Sequence, residues 1–149
     1  MQPFRLYDPG RPIYTHARYL PGARLNGCTA RDAIVAEGCY IERSTIEESI
    51  VGIRTNIQGG STIRRSVLLG ADFYEADDTG PIQRDRPRLG IGRDVVLDRV
   101  IVDKNARIGD GAQLVNEAGV SHADGDGYFI RDGIIVVPKD GVIKPGTRV

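Results

Sequence analysis

The chain has no tryptophan, and aromatic residues are only 6% of it. A core of stacked rings is therefore excluded, and Ile, Val, Leu and Ala must supply the interior. Charge of one sign is missing as well. Twenty Lys and Arg balance twenty Asp and Glu, for a formal net charge of zero. Nothing in that balance favours nucleic acid or an anionic membrane as the main partner. No apolar run is long enough to span a bilayer, and no signal peptide is visible, so a cytoplasmic location is the default expectation. The two cysteines, Cys28 and Cys39, fit no metal-ligand spacing. They read as small buried side chains in successive turns, and a reducing compartment disfavours a disulfide between them.

What is present is a short period. Val51, Ile57, Ile63 and Leu69 fall six residues apart, with Gly52, Thr55, Gly59 and Ser61 between them. Neither a helix nor an alternating strand repeats at that spacing. Hexapeptide repeats build a parallel β-helix, in which three short faces close one triangular coil. The aliphatic residues stack inward and the small residues fit the corners. The pattern extends back through Ile46, Ile41 and Val35 with slips of one residue. It resumes at Ile91, Leu97, Val102, Ile108 and Leu114, and ends with Val137 and Ile143. At three hexads per coil this makes roughly five coils. The expected fold is all-β, a left-handed parallel β-helix. Hexapeptide β-helices are the exception to the right-handed crossover rule.

Three segments leave the period. Residues 1–26 hold Pro3, Pro9, Pro12 and Pro21 and read as an extended linker. Ile13–Thr15 is a candidate short strand within it. Phe4, Tyr7, Tyr14 and Tyr19 are expected to pack against the first coil or a neighbour. The β-helix proper is expected over 27–149, with insertions at about 71–88 and 121–128. The first insertion has an acidic first half and a basic second half from Thr79 to Arg88. The second is rich in Gly and Asp. Long loops on a repeat scaffold often carry function.

Several chemistries fail on residue supply. The chain has only two histidines, His16 and His122. Hexapeptide acyltransferases use a histidine base, but these two lie in the linker and the second insertion, where exposed polar residues are ordinary. A zinc site of three histidines cannot be assembled from two. Gly90-Ile-Gly-Arg-Asp lacks the helix that a dinucleotide loop needs. Asp124-Gly-Asp-Gly lacks the rest of a calcium loop and reads as a turn. No Ser/His/Asp or Cys/His set is visible, so no catalytic residue and no metal ligand is assigned. The better candidates bind anions: Lys104 and Lys139 at turns, and Arg18 in the linker. Each alone reads as a surface charge. Converging on one groove, they would bind a small phosphorylated acid through charge-assisted hydrogen bonds.

Four segments carry a family resemblance. They are Tyr7-Asp-Pro-Gly-Arg-Pro-Ile-Tyr-Thr-His-Ala-Arg-Tyr-Leu-Pro, Leu68-Leu-Gly-Ala-Asp-Phe-Tyr-Glu, Ile101-Val-Asp-Lys-Asn-Ala-Arg-Ile-Gly, and Asp126-Gly-Tyr-Phe-Ile-Arg-Asp-Gly-Ile-Ile-Val-Val-Pro-Lys. With them the chain resembles the C-terminal part of glucose-1-phosphate adenylyltransferase of the cyanobacterial and plant type. The resemblance implies a β-helix that follows a nucleotidyltransferase domain and contributes to tetramer assembly. It also implies an allosteric site, activated by 3-phosphoglycerate and inhibited by phosphate. Lys104, Lys139 and Arg18 match effector residues of that family, and His16 a position near the bound anion. The Gly-rich nucleotide loop and the catalytic Asp and Lys are not in this sequence. The expectation is a truncated chain, a separately encoded half or a fragment, inactive alone, whose partners are a catalytic half or full-length subunits. No cofactor is expected on this chain, since Mg and ATP would belong to the catalytic domain. A standalone acyltransferase and a scaffold without a ligand are the competing expectations.

Overall fold

A computed structural model describes residues 5–76 and 86–149. Phe4 and residues 77–85, most of the basic half of the first insertion, lie outside the described residues.

The chain winds into parallel coils of three short strands. The first coil is β1 (Arg24–Asn26), β2 (Thr29–Arg31) and β3 (Ile34–Val35). The second is β4 (Tyr40–Glu42), β5 (Thr45–Glu47) and β6 (Ile50–Val51). The third is β7 (Asn56–Ile57), β8 (Thr62–Arg64) and β9 (Val67–Leu68), and the first insertion follows it. The fourth is β10 (Gly90–Ile91), β11 (Val96–Asp98) and β12 (Val100–Val102). The fifth begins with β13 (Arg107–Ile108) and β14 (Gln113–Leu114). It then makes an excursion through β15 (His122–Asp124) and β16 (Phe129–Arg131) before β17 (Ile134–Val137) completes it. β18 (Val142–Ile143) opens a sixth turn. The described residues contain no helix, and so none long and apolar enough to cross a membrane.

Strands three apart in sequence pair in register, giving sheets of six, five and seven strands. Each sheet sends one aliphatic column inward. Ile41, Ile57, Ile91, Ile108 and Ile143 stack in the first. Ile46, Ile63, Leu97 and Leu114 stack in the second. Val51, Leu68, Val102 and Val137 stack in the third. All of them are buried. β-Branched side chains, which make up most of these columns, suit this arrangement because they pack well against aliphatic neighbours on the pleated surface above and below.

The strict hexad fails at the corner between the second and third sheets. Leu68 is the inward residue, 2% exposed, whereas Leu69 is 42% exposed. From Ile63 the step to the next inward residue is therefore one shorter than six. The same shortening separates Leu97 from Val102, one coil later on the same corner. At that corner Arg65 and Arg99 each turn the chain alone in the left-handed region, with φ 46° and 57°. The strands before it, β8 and β11, keep three residues, so it is the turn that is a residue shorter.

Hydroxyls and thiols at the corners tie the coils together. Ser61 donates to the Gly92 carbonyl (2.8 Å) and accepts from the Val95 amide (3.1 Å). Ser66 accepts from the Val100 amide at 3.1 Å. Cys28 and Cys39 tie coils at two different corners, donating to the Ile41 and Gly52 carbonyls at 3.2 and 3.0 Å. Both are free thiols; Cys39 is buried and Cys28 partly so. A buried amide left without an acceptor is costly, so a small polar side chain at the corner is a packing requirement.

The N-terminal segment differs from its reading. Arg24–Asn26 pairs with Tyr40–Glu42, so the coil takes in the last residues of the stretch read as linker. Ile13–Thr15 forms no strand. Tyr7, Tyr14 and Tyr19 do not pack on the first coil and stand almost fully exposed. Pro9, Pro12 and Pro21 lack amide donors of their own, which leaves only short stretches of this segment able to join a regular ladder. The second insertion is also more than a loop. β15, β16 and β17 form an antiparallel meander that widens the third sheet.

The three outer faces differ. The second sheet carries a charge ladder, with Arg31 and Arg64 both paired to Glu47 at 3.0 and 3.3 Å. The third carries an apolar row in register: Ile34, Ile50, Val67, Ile101, Val136 and Phe129.

Candidate functional site

The corner after the third sheet brings two of the predicted residues together. Val102 and Val137 are paired inward residues one coil apart. Lys104 and Lys139 each follow their valine by two positions, so they occupy equivalent seats on adjacent turns. The next residues, Asn105 and Asp140, turn the corner in the left-handed region, with φ 61° and 59°. Asn and Asp tolerate that conformation better than most residues. The Asp140 amide donates to the Lys104 carbonyl at 2.9 Å, which fixes the two stems side by side.

Both ammonium groups point at one carboxylate, that of Asp72. Lys104 Nζ donates to Asp72 Oδ1 at 2.9 Å. Lys139 Nζ lies 3.6 Å from Oδ2, an ion pair longer than a hydrogen bond. Asn105 Nδ2 also donates to Oδ2 (3.0 Å), while Asn105 Oδ1 accepts from the Asp72 amide (2.8 Å). Hydrogen bonds from Lys104 and Asn105 and the nearby lysine charges hold the Asp72 carboxyl at about 2. All three charged groups remain partly exposed. Asp103 is close by, but its Oδ1 accepts from the Lys104 backbone amide at 2.7 Å.

Asp72 stands at the root of the first insertion. The chain leaves the coil at Gly70, with φ 92°, and a β-carbon there would collide with the Ile53 carbonyl. It returns at Gly90, with φ 96°, against the Asn56 carbonyl. Only glycine fits either place. A second carboxylate anchors the same segment. Glu75 accepts from Arg107 (2.6 Å) and from the Leu89 amide (2.9 Å). Burial pushes the Glu75 carboxyl up, but the Leu89 amide and the Arg107 guanidinium outweigh it and leave it below the usual range. Tyr74 extends the tie, its hydroxyl donating to the Gly38 carbonyl at 2.9 Å.

Arg18 and His16 do not join the lysines. The Arg18 guanidinium donates to the His16 carbonyl at 3.2 Å, in the exposed N-terminal segment. His122 faces Asp132 at 3.5 Å on the meander. Among the described residues no cluster of three His, Cys, Asp or Glu side chains is placed to hold a metal ion.

Sequence reasoning missed Asp72 as a partner of the lysines. A signal did exist. Gly70 accepts from the Asn105 amide as Lys104 accepts from that of Asp140, so the 68–72 stretch runs along the same corner one coil earlier. A carboxylate two residues past Gly70 therefore lands beside the lysine seats.

Three in-register sheets, an aliphatic interior and insertions at the corners define a parallel β-helix domain. The model of the GLGC left-handed parallel beta-helix domain matches residues 18–148. The chain belongs to that family, the C-terminal β-helix domain of glucose-1-phosphate adenylyltransferase, and its coil is left-handed.

Proposed function

We propose that this chain is the regulatory and assembly domain of a glucose-1-phosphate adenylyltransferase, working in the cytoplasm. Such an enzyme makes ADP-glucose and pyrophosphate from ATP and glucose 1-phosphate for glycogen or starch synthesis. On this reading Lys104 and Lys139 bind a small anionic effector such as 3-phosphoglycerate or phosphate. The observation that carries the reading is the convergence of two ammonium groups, from equivalent seats on adjacent turns, onto one point. Turns held by backbone hydrogen bonds fix the stems, so little further order is lost on binding. Arg18 and His16 enter the site when the N-terminal segment is pressed against a catalytic domain. The exposed tyrosines of that segment and the apolar row on the third sheet favour a protein partner, either that domain or another subunit. Triphosphate chemistry needs a phosphate-cradling loop and metal-binding carboxylates, and no such motif occurs in the sequence, so the chain alone is expected to be inactive.

The test is calorimetric titration with 3-phosphoglycerate, on the chain as given and on Lys104→Ala and Lys139→Ala. Binding that weakens with salt and is lost in both variants supports the reading. Binding unchanged in both variants, or absent from the unaltered chain joined to a catalytic domain, refutes it.

A further inference from the structure

We propose that Asp72 is a built-in competitor for the Lys104–Lys139 site, setting a charge threshold that admits doubly charged or phosphorylated anions and turns monocarboxylates away. This rests on the anion-site reading and adds the residue that selects among anions. The Asp72 carboxylate stands where an external anion would sit, one oxygen toward each lysine. A ligand placed beside it would meet a like charge, so a ligand enters by displacing it.

The local chemistry allows that displacement. Asp72 takes one of the three Lys104 donors, and Lys139 is beyond hydrogen-bond length. Both ammonium groups thus keep donors for an incoming oxygen. The Asp72 amide stays on Asn105 Oδ1, so the side chain can give up its Lys104 and Asn105 Nδ2 bonds and swing out while the chain stays in place. The displaced carboxylate remains tethered, and a tethered group competes at an effective concentration of order millimolar. A free monocarboxylate offers the lysines the same chemistry as Asp72 and loses to it below that concentration. A phosphoryl group brings ~1.5–2 negative charges and three acceptor oxygens, enough to engage both lysines at once.

The experiment is calorimetric titration at low salt with inorganic phosphate and with acetate. It compares the unaltered chain, Asp72→Asn, Asp72→Ala and the triple variant Asp72→Asn/Lys104→Ala/Lys139→Ala, with folding checked by circular dichroism. Asp72→Ala covers the case in which an asparagine amide takes over the carboxylate's hydrogen bonds. The expected result is phosphate binding about ten-fold tighter or more in Asp72→Asn and Asp72→Ala. Acetate binding should be measurable only in those two, and the triple variant should bind neither anion. Phosphate binding in the unaltered chain with no gain in either single variant overturns the competitor and leaves the anion site standing. No phosphate binding in any variant overturns the competitor, and its absence from the unaltered chain joined to a catalytic domain overturns the site as well. A gain in phosphate affinity that survives in the triple variant also overturns the proposal, since the lysines would not be the site.

Discussion

Truncating Leu68 and its neighbour Leu69 separately to alanine measures which of the two faces the interior. In the sequence both are leucines, and a strict hexad counted from Val51 and Ile57 points Leu69 inward. In the structure Leu68 stacks between Val51 and Val102, and Leu69 is 42% exposed. Leu68→Ala removes three carbons from a packed column. At ~0.8 kcal/mol each this is ~2.4 kcal/mol, and the cavity left behind raises the expected loss to about 3 kcal/mol. Leu69→Ala uncovers little and should cost well under about 1 kcal/mol. For a chain of this size about 3 kcal/mol lowers the thermal midpoint by roughly 6–12 °C. Urea unfolding followed by circular dichroism reads the difference, with the denaturant slope checked for constancy because coils in a solenoid can unfold separately. A loss from Leu69→Ala equal to or larger than that from Leu68→Ala would refute the five-residue step at this corner.

Three further outcomes are expected. Ser66→Ala leaves the Val100 amide without its acceptor inside the corner and should cost about 1–3 kcal/mol by the same urea assay, where an exposed serine would cost almost nothing. Acid should loosen the root of the first insertion. Asp72 is depressed to about 2 from an ordinary carboxylate value of ~3.9, so its contribution is full above about pH 4 and is lost as pH falls toward 2. Glu75 shifts the same way. The midpoint should fall across that window in the unaltered chain and fall less in Asp72→Asn; equal profiles would contradict the clamp. Finally, burial pushes the Cys39 thiol up, so an aromatic disulfide reagent should modify Cys28 well before Cys39 in the native chain, and equal rates would count against the corner packing.

The architecture was legible because a hexad with small residues at fixed offsets suits few structures. Ile57, Ile63, Ile91, Leu97, Ile108 and Ile143 could be assigned inward from spacing alone. Corner length was not legible. A corner turned by one residue such as Arg65 looks in sequence like any other polar residue, so the step from Ile63 to Leu68 was miscounted. The meander was hidden for a related reason: His122–Asp124 and Phe129–Arg131 are too short to show alternation, and the Gly and Asp between them read as plain loop. Of the site, Lys104 and Lys139 were visible as lysines at turns, and their equivalent seats follow from the matching Val-x-Lys spacing. Asp72 was not, because its approach depends on how the chain leaves the coil at Gly70, a contact across more than thirty residues of sequence.

The most direct measurement is a crystal structure of the chain grown with 3-phosphoglycerate. The expected structure holds a phosphoryl group within hydrogen-bond distance, ~2.7–3.2 Å, of both Lys104 Nζ and Lys139 Nζ, with the Asp72 carboxylate turned away from them. Both lysines still closed on Asp72, with the ligand elsewhere or absent, would contradict it.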